Sequence, residues 1–465
     1  MLMTADVILR ALREAVVTML AALITMLCAL MIDPEPGPAI LAVVLCISLS
    51  RSQLDRDVRG RLEAAITLPA VSVAALGVAL LLYRAPWLGA IAFVGAISLS
   101  IWLRRFGPLV RRAGSLIALP FAVILTTPYV PTTRISHAMA LVLPVVVALL
   151  ALFWVTAFHL LGRRLNWLPP VGTSKEVAAA PRTPSTMRPM ASTRMAVQMA
   201  IALSASFIVG YVFFAERWAW IVLTAFIVGS GNQGRLDVAY KSVLRVAGAG
   251  AGTLAAITFT IHAGSHDATV VALILISVFL GLWLRPLGYA WWALFVTLAL
   301  ALLQGFEGER AQHMLALRLE EIVIGAVIGV AAAWFVLPVR STGMLRRRIA
   351  DALAMLADAL DPTTPARDAE DFVSALARVN SVAPAFRASR LLTRRLHVAQ
   401  PADWIDTLSE CGAPAVALIH RSEKPGNVRK ALGAARQSMR DPTLIQPTLE
   451  KLRDSLSETK TDQSR

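Results

Sequence analysis

Long apolar runs alternate with short charged stretches along this chain, and the runs are close to the roughly 20 residues a helix needs to cross a hydrocarbon core about 30 Å thick. They predict spans near 15–32, 37–50, 64–83, 86–103, 113–131, 138–161, 195–214, 217–231, 246–263, 268–284, 287–305 and 319–338. The second and eighth are short and must tilt or borrow from their flanking loops. The expected fold class is therefore all-α integral membrane, with about twelve transmembrane helices. Residues 165–193, rich in Pro, Ser, Thr and Arg, cannot bury a core and predict a cytoplasmic linker between two membrane regions, 1–164 and 194–340.

The two membrane regions look related. In each, the second span runs into a basic segment, Ser50-Arg-Ser-Gln-Leu-Asp55-Arg-Asp-Val-Arg59 and Gly231-Asn-Gln-Gly-Arg235-Leu-Asp237-Val-Ala-Tyr-Lys241. The last spans open with His137-Ala-Met-Ala-Leu141 and His313-Met-Leu-Ala-Leu317. Six spans per half is an even number, which predicts two parallel repeats about an axis along the membrane normal, with a pathway on that axis. After Pro338 the pattern becomes that of a soluble helical tail, 341–465. Ile349, Leu353, Leu356 and Leu360 recur at helical spacing, and further helices are expected at 368–398, 402–420, 426–439 and 443–458.

Composition agrees: 57% of residues are hydrophobic, 16% are charged and the mean hydropathy is +0.64. The net charge of +15 follows the loops. One set is basic, including Arg56, Arg59, Arg61, Arg104, Arg105, Arg163, Arg164, Arg235, Lys241 and Arg245, whereas the alternate loops carry little more than Arg84, Arg134, Arg217, Arg310 and Arg318. Positive charge stays cytoplasmic during insertion, so both termini are expected inside a bacterial-type inner membrane. The basic balance thus predicts contact with anionic lipids and not with nucleic acid. The basic lead and first apolar run have no small-residue cleavage site before Asp33-Pro-Glu-Pro-Gly-Pro and are expected to remain as the first helix. Arg387, Arg390, Arg394 and Arg395 make one tail helix strongly basic, for solvation or for docking on anionic lipid.

Three cysteines, Cys28, Cys46 and Cys411, support neither a disulfide framework nor a zinc site, and no cofactor or metal is expected. No Gly-x-x-x-x-Gly-Lys-Ser/Thr occurs, which argues against an intrinsic ATPase. Asp55 and Asp57 are the one acidic pair suggestive of metal-dependent catalysis, but their basic neighbours oppose cation binding, so no enzyme is expected.

The second half carries a recognisable series. Trp218-Ala-Trp-Ile-Val-Leu-Thr224 begins a helix, Arg245-Val-Ala-Gly248-Ala-Gly-Ala-Gly252-Thr253 opens the next, and Gly288-Tyr-Ala-Trp291-Trp292 starts another. Arg318-Leu-Glu-Glu321-Ile-Val-Ile-Gly325 opens the last, which closes on Leu337-Pro338. Over roughly 190–340 this resembles the fusaric acid resistance and aromatic acid exporter family. The resemblance implies efflux of aromatic or other organic carboxylates, often beside a periplasmic adaptor and an outer-membrane channel. The first half departs from the pattern, with Arg61-Leu-Glu-Ala-Ala-Ile-Thr67 in place of the glycine segment and no Arg and Glu pair in its last span.

Candidate residues follow from the cost of burying charge. Arg318 and Glu321, spaced i, i+3, are expected to pair at the outer interface. They serve either as a snorkelling helix end or as a carboxylate-binding arginine beside a proton-coupling glutamate, while Glu320 faces differently. Arg235, Lys241 and Arg245 are expected to form a cytoplasmic mouth that recruits anions, or merely to retain topology. Trp291 stands for either an interfacial belt or a ring-stacking contact. Gly248, Gly252, Gly325 and Gly329, four apart in pairs, allow close helix packing. The expected function is efflux of small organic, aromatic carboxylates driven by an ion gradient. The alternatives are a passive anion channel and a membrane-anchored interaction protein acting through its tail.

Overall fold

The computed structural model describes residues 5–53, 58–106, 114, 117, 120, 121, 124, 125, 137–168, 191–215, 217–262, 268–306, 311–361, 369–393, 395, 400–421 and 426–461. They divide into two compact units. One holds the apolar helices through Leu337, and the other holds Pro338–Arg465 together with Asn232–Tyr240.

The first unit contains α1 (Ala5–Ile32), α2 (Pro36–Gln53), α3 (Val58–Arg84), α4 (Pro86–Leu103), α5 (His137–Arg164), α6 (Ala191–Phe213) and α7 (Trp218–Gly229). It continues with α8 (Arg235–His262), whose first residues count with the second unit, then α9 (Ala268–Leu284), α10 (Tyr289–Phe306) and α11 (Ala311–Phe335). Seven helices among the described residues are long and apolar enough to cross a membrane, and three shorter apolar ones lie within α2, α7 and α10. α7 has 12 residues, so at 1.5 Å per residue it covers roughly 18 Å, short of a full crossing. The expected span at 113–131 is described only at 114, 117, 120, 121, 124 and 125, all helical. Most of the expected linker, the Asp55–Asp57 pair and the His137 and His313 side chains lie outside the described residues.

Packing repeats between the halves. α1, α2 and α5 pack on one another, as do α6, α7 and α11, the helices in corresponding places of the second half. Across the halves the exchange is reciprocal: α4 packs on α6, and α9 packs on α1. Aromatic residues seal the first contact, where Phe93 meets Phe207 edge-on at 5.6 Å and the Tyr211 hydroxyl donates to the Pro86 carbonyl at 3.1 Å. In the second, the Trp283 indole donates to the Ile8 carbonyl at 3.3 Å. The inner seam of the first half is lined by small residues, including Ala21, Ala22, Ala42, Cys46, Ala148 and Ala151, which let its helices approach closely.

The second unit contains α12 (Ser341–Ala359), α13 (Glu370–Asn380), α14 (Ala383–Thr393), α15 (Pro401–Glu410), α16 (Gly412–Arg421), α17 (Gly426–Ser438) and α18 (Pro442–Thr461) around one apolar core. The helix expected over 368–398 is broken after Asn380, and that over 402–420 after Glu410. Each break stands four residues before a proline, Pro384 and Pro414, whose ring would collide with the carbonyl of Asn380 or Glu410 and which has no N–H to give it. Cys411 fills the second break, and burial pushes its thiol up to about 12. Of the basic cluster, Arg387 pairs with Asp406 at 2.6 Å and Arg390 with Asp403 and Asp406 at 2.6 and 2.9 Å. These two arginines are therefore engaged within the tail, which weakens the expectation of lipid docking there. Arg394 lies outside the described residues.

Arg348 ties Asn232–Tyr240 to the tail. One guanidinium nitrogen donates to Gln233 Oε1 at 2.9 Å, the Arg378 carbonyl at 2.6 Å and Ser381 Oγ at 2.9 Å. Burial lowers the basicity of this guanidinium, and Asp237 counters the effect. Beside it the Leu236 amide donates to Ser341 Oγ at 3.1 Å. Arg348→Ala leaves three acceptors without their shared donor and is expected to destabilise this unit by about 1–3 kcal/mol. Hydrogen exchange on the full chain should quicken in α12–α14 and leave α1–α5 unchanged; unaltered protection of α12 would refute the tie.

Candidate functional site

Glycine sets the geometry of the candidate site. Gly325 of α11 lies so close to α7 that a Cβ there would stand 2.5 Å from the Ile221 carbonyl oxygen and 2.9 Å from Thr224 Cβ. One turn further on, a Cβ at Gly329 would stand 3.3 Å from Val228. This close approach is what brings the Arg318 and Glu321 turn of α11 against the start of α7.

Both charged side chains are buried there, Arg318 at 2% exposure and Glu321 at 1%. The Arg318 guanidinium lies over the Trp220 ring, 4.1 Å from its centroid, close enough for a cation–π attraction. The Glu321 carboxylate meets Nε of Arg217, the residue just before α7, at 3.4 Å. Arg217 and Arg318 both attract the Glu321 charge, and Glu320 opposes it. Two guanidinium groups thus converge on one buried carboxylate beside a half-buried indole. Thr224, one turn deeper than Trp220, is fully buried, and its hydroxyl has no hydrogen-bond partner among the described residues.

The other candidates separate. Glu320 points away and is exposed, because adjacent helical residues stand about 100° apart. Trp291 is 44% exposed and stacks on Phe295 at 6.4 Å, so the ring brought to Arg318 is Trp220. The reason is packing: α7 lies on α11, whereas Trp291 sits on the outward face of α10. Arg235, Lys241 and Arg245 do not share one setting. Arg235 is exposed and counts with the second unit, the half-buried Lys241 donates to the Gly231 carbonyl at 3.4 Å, and Arg245 is 1% exposed. Lys241 and Arg245, four apart, share a helix face, and Arg235 lies about 80° to 120° round the helix from them. Arg245 is buried near the Tyr289 phenol, on which its charge acts, and its Nε has no hydrogen-bond partner among the described residues. Next to it, Gly248 and Gly252 bring α8 onto α10; Cβ atoms there would stand 2.8 Å from the Ala290 carbonyl oxygen and 2.5 Å from that of Leu294.

The partners of the pair, Arg217 and Trp220, were open to reading from sequence as loop charge and as interfacial belt or ring-stacking contact, without their link to Arg318 and Glu321. A basic residue followed by an aromatic at i+3, at the start of a short span, is the signal that could have marked them. Among the described residues, no group of three or more His, Cys, Asp and Glu side chains could hold a metal ion.

This geometry lies within a segment, residues 201–332, that matches a family model described as fusaric acid resistance protein-like. No curated protein and no solved structure matches the chain. With its apolar helices, the chain is a multi-pass membrane protein.

Proposed function

We propose that the protein is an inner-membrane exporter of small organic acids, aromatic carboxylates in particular, driven by an ion gradient. The observation that carries this reading is the buried meeting of Arg318, Arg217 and Glu321 beside Trp220 in the family-matched segment. A planar guanidinium grips a carboxylate through two parallel hydrogen bonds, and an indole offers a face to an aromatic ring. An incoming carboxylate competes with Glu321 for the arginines, and the released glutamate takes up a proton.

The architecture that suits this function is two parallel six-helix repeats with both termini cytoplasmic, enclosing a route along their shared axis. The reciprocal packing of α4 on α6 and α9 on α1 supports that arrangement. On the cytoplasmic side the buried Arg245 receives the anion. A periplasmic adaptor and an outer-membrane channel would extend the route beyond the inner membrane.

The test is accumulation. Inverted membrane vesicles containing the protein and energised with a proton gradient should concentrate labelled benzoate above the bath level, and an uncoupler should discharge it. Uptake that only equilibrates, with or without the gradient, identifies a passive anion channel instead.

A further inference from the structure

On α14 the tail spends its arginines internally, since Arg387 and Arg390 are held by Asp403 and Asp406. On α17 it does not. Val428, Leu432 and Ala435 of this helix turn into the apolar core, while Arg429, Lys430, Arg436 and, in the turn that closes it, Arg440 are all exposed. None of these four side chains has a hydrogen bond or an ion pair among the described residues.

Helical spacing gathers the four charges. Arg429 and Arg436, seven apart, lie within about 20° of each other around the helix, and Lys430 stands about 100° from Arg429. Gly433 and Ala434 lie exposed between them, and a Cβ at Gly433 would meet nothing within 4 Å, so a flat surface can come close. The helix is held in place from behind. Ser438 Oγ is 2.7 Å from Thr448 Oγ1 of α18, and Arg346 of α12 donates to the Arg440 carbonyl at 3.1 Å. Asp441, the next acid along, turns its carboxylate to the Thr443 amide and hydroxyl at 3.0 and 2.8 Å.

Topology does not account for this charge. Basic residues fix orientation only within about 15–20 residues of a span, and Arg429 lies about ninety residues beyond Phe335, where α11 ends. Solvation does not require a face of one sign either: on α18, Arg453 stands among Asp454 and Glu410. The anionic surface within reach is the membrane. α12 opens at Ser341, one short loop after α11, so the tail is tethered to the bilayer and meets it at high effective concentration. Guanidinium groups take phosphate oxygens through paired hydrogen bonds, and the charges of such a face add at an anionic leaflet. α17 carries no aromatic side chain of the kind on which a single-stranded nucleic acid stacks its bases.

We propose that the face of α17 bearing Arg429, Lys430, Arg436 and Arg440 docks the tail on the anionic phospholipid headgroups of the membrane that holds the protein. No apolar side chain stands between these charges, so the contact is electrostatic and is sustained by the tether. It stands independently of what the protein transports.

The experiment puts a fluorophore on Gln437→Cys, exposed beside Arg436, in the full-length protein in lipid nanodiscs. The unaltered protein treated with the same dye gives the background from its native cysteines. A phosphatidylcholine bearing a nitroxide on its headgroup quenches only dyes at the membrane surface. Quenching should be at least about twofold stronger in nanodiscs rich in phosphatidylglycerol than in phosphatidylcholine alone, and about 1 M salt, where the screening length falls to about 3 Å, should erase the difference. Arg436→Gln with Arg440→Gln should erase it as well, whereas Arg436→Lys with Arg440→Lys should retain most of it. Equal quenching in the two lipids overturns the proposal, and a glutamine pair that quenches like the unaltered protein overturns the assignment to these arginines. A dye that phosphatidylglycerol leaves unquenched while polyuridylate RNA slows its rotation also overturns the proposal, giving α17 to a nucleic acid instead.

Discussion

Gly325→Leu is expected to prevent assembly of the second half. Even the first atom of a side chain at this position would lie 2.5 Å from the Ile221 carbonyl oxygen. That oxygen belongs to the backbone of a helix and cannot swing aside, so α7 and α11 would have to separate. The separation opens the seam shared by α6, α7 and α11 and costs about 3 kcal/mol or more, the upper end for an overpacked contact. Two substitutions isolate the cause. A Cβ at Gly329 meets the Val228 side chain at 3.3 Å, which can yield, and the Ala225 backbone only at an ordinary 3.9 Å, while a Cβ at Gly250 on α8 has nothing within 4 Å, so the comparisons are Gly329→Ala and Gly250→Leu. Both should extract from membranes as a single species with a melting temperature near that of the unaltered protein, while Gly325→Leu should aggregate or melt well below it. A Gly325→Leu protein that melts with the unaltered one would mean that α7 and α11 are not in contact here.

Much of this architecture was legible because membrane helices announce themselves one segment at a time. Every backbone polar group must be satisfied within the lipid, so a long apolar run can only be a helix. The close-packing glycines were legible for a similar reason, since spacing of four places both on one face. What sequence could not give was partnership between distant segments. Glu321 has the Arg318 charge three residues away, but it also pairs with Arg217, more than a hundred positions earlier, which no spacing along the chain announces. Trp291 and Trp220 were equivalent as belt residues, and only the packing of α7 on α11 distinguishes them. The two breaks in the tail were within reach: Pro384 and Pro414 state where each helix stops, but the apolar periodicity runs through both prolines and hides them.

Arg318→Lys is expected to leave the fold intact and reduce aromatic acid transport at least tenfold, equivalent to about 1.4 kcal/mol. Lysine retains the positive charge that Glu321 needs nearby and can still rest against the Trp220 ring. What it cannot reproduce is the planar fork that holds both oxygens of a carboxylate at once. The loss should therefore fall on substrate binding and not on protein level. Glu321→Gln should act differently. It keeps the shape and the contact with Arg217 through a neutral oxygen, but removes the group that exchanges a proton when a substrate carboxylate takes its place beside the arginines. Transport in this variant should persist but lose its dependence on pH, since binding the anion no longer frees a base. Uptake of labelled benzoate into inverted vesicles across a pH series, with protein matched by immunoblot, reads both effects. Trp220→Leu in the same assay separates the ring from the charge: it should weaken benzoate uptake more than uptake of an aliphatic acid of similar size. Rates and pH profiles in Arg318→Lys and Glu321→Gln that match the unaltered protein would reduce this cluster to a structural helix junction. The substrate-binding role would then pass to the buried Arg245 beside Tyr289, a second place in the family-matched segment where a guanidinium is held away from water.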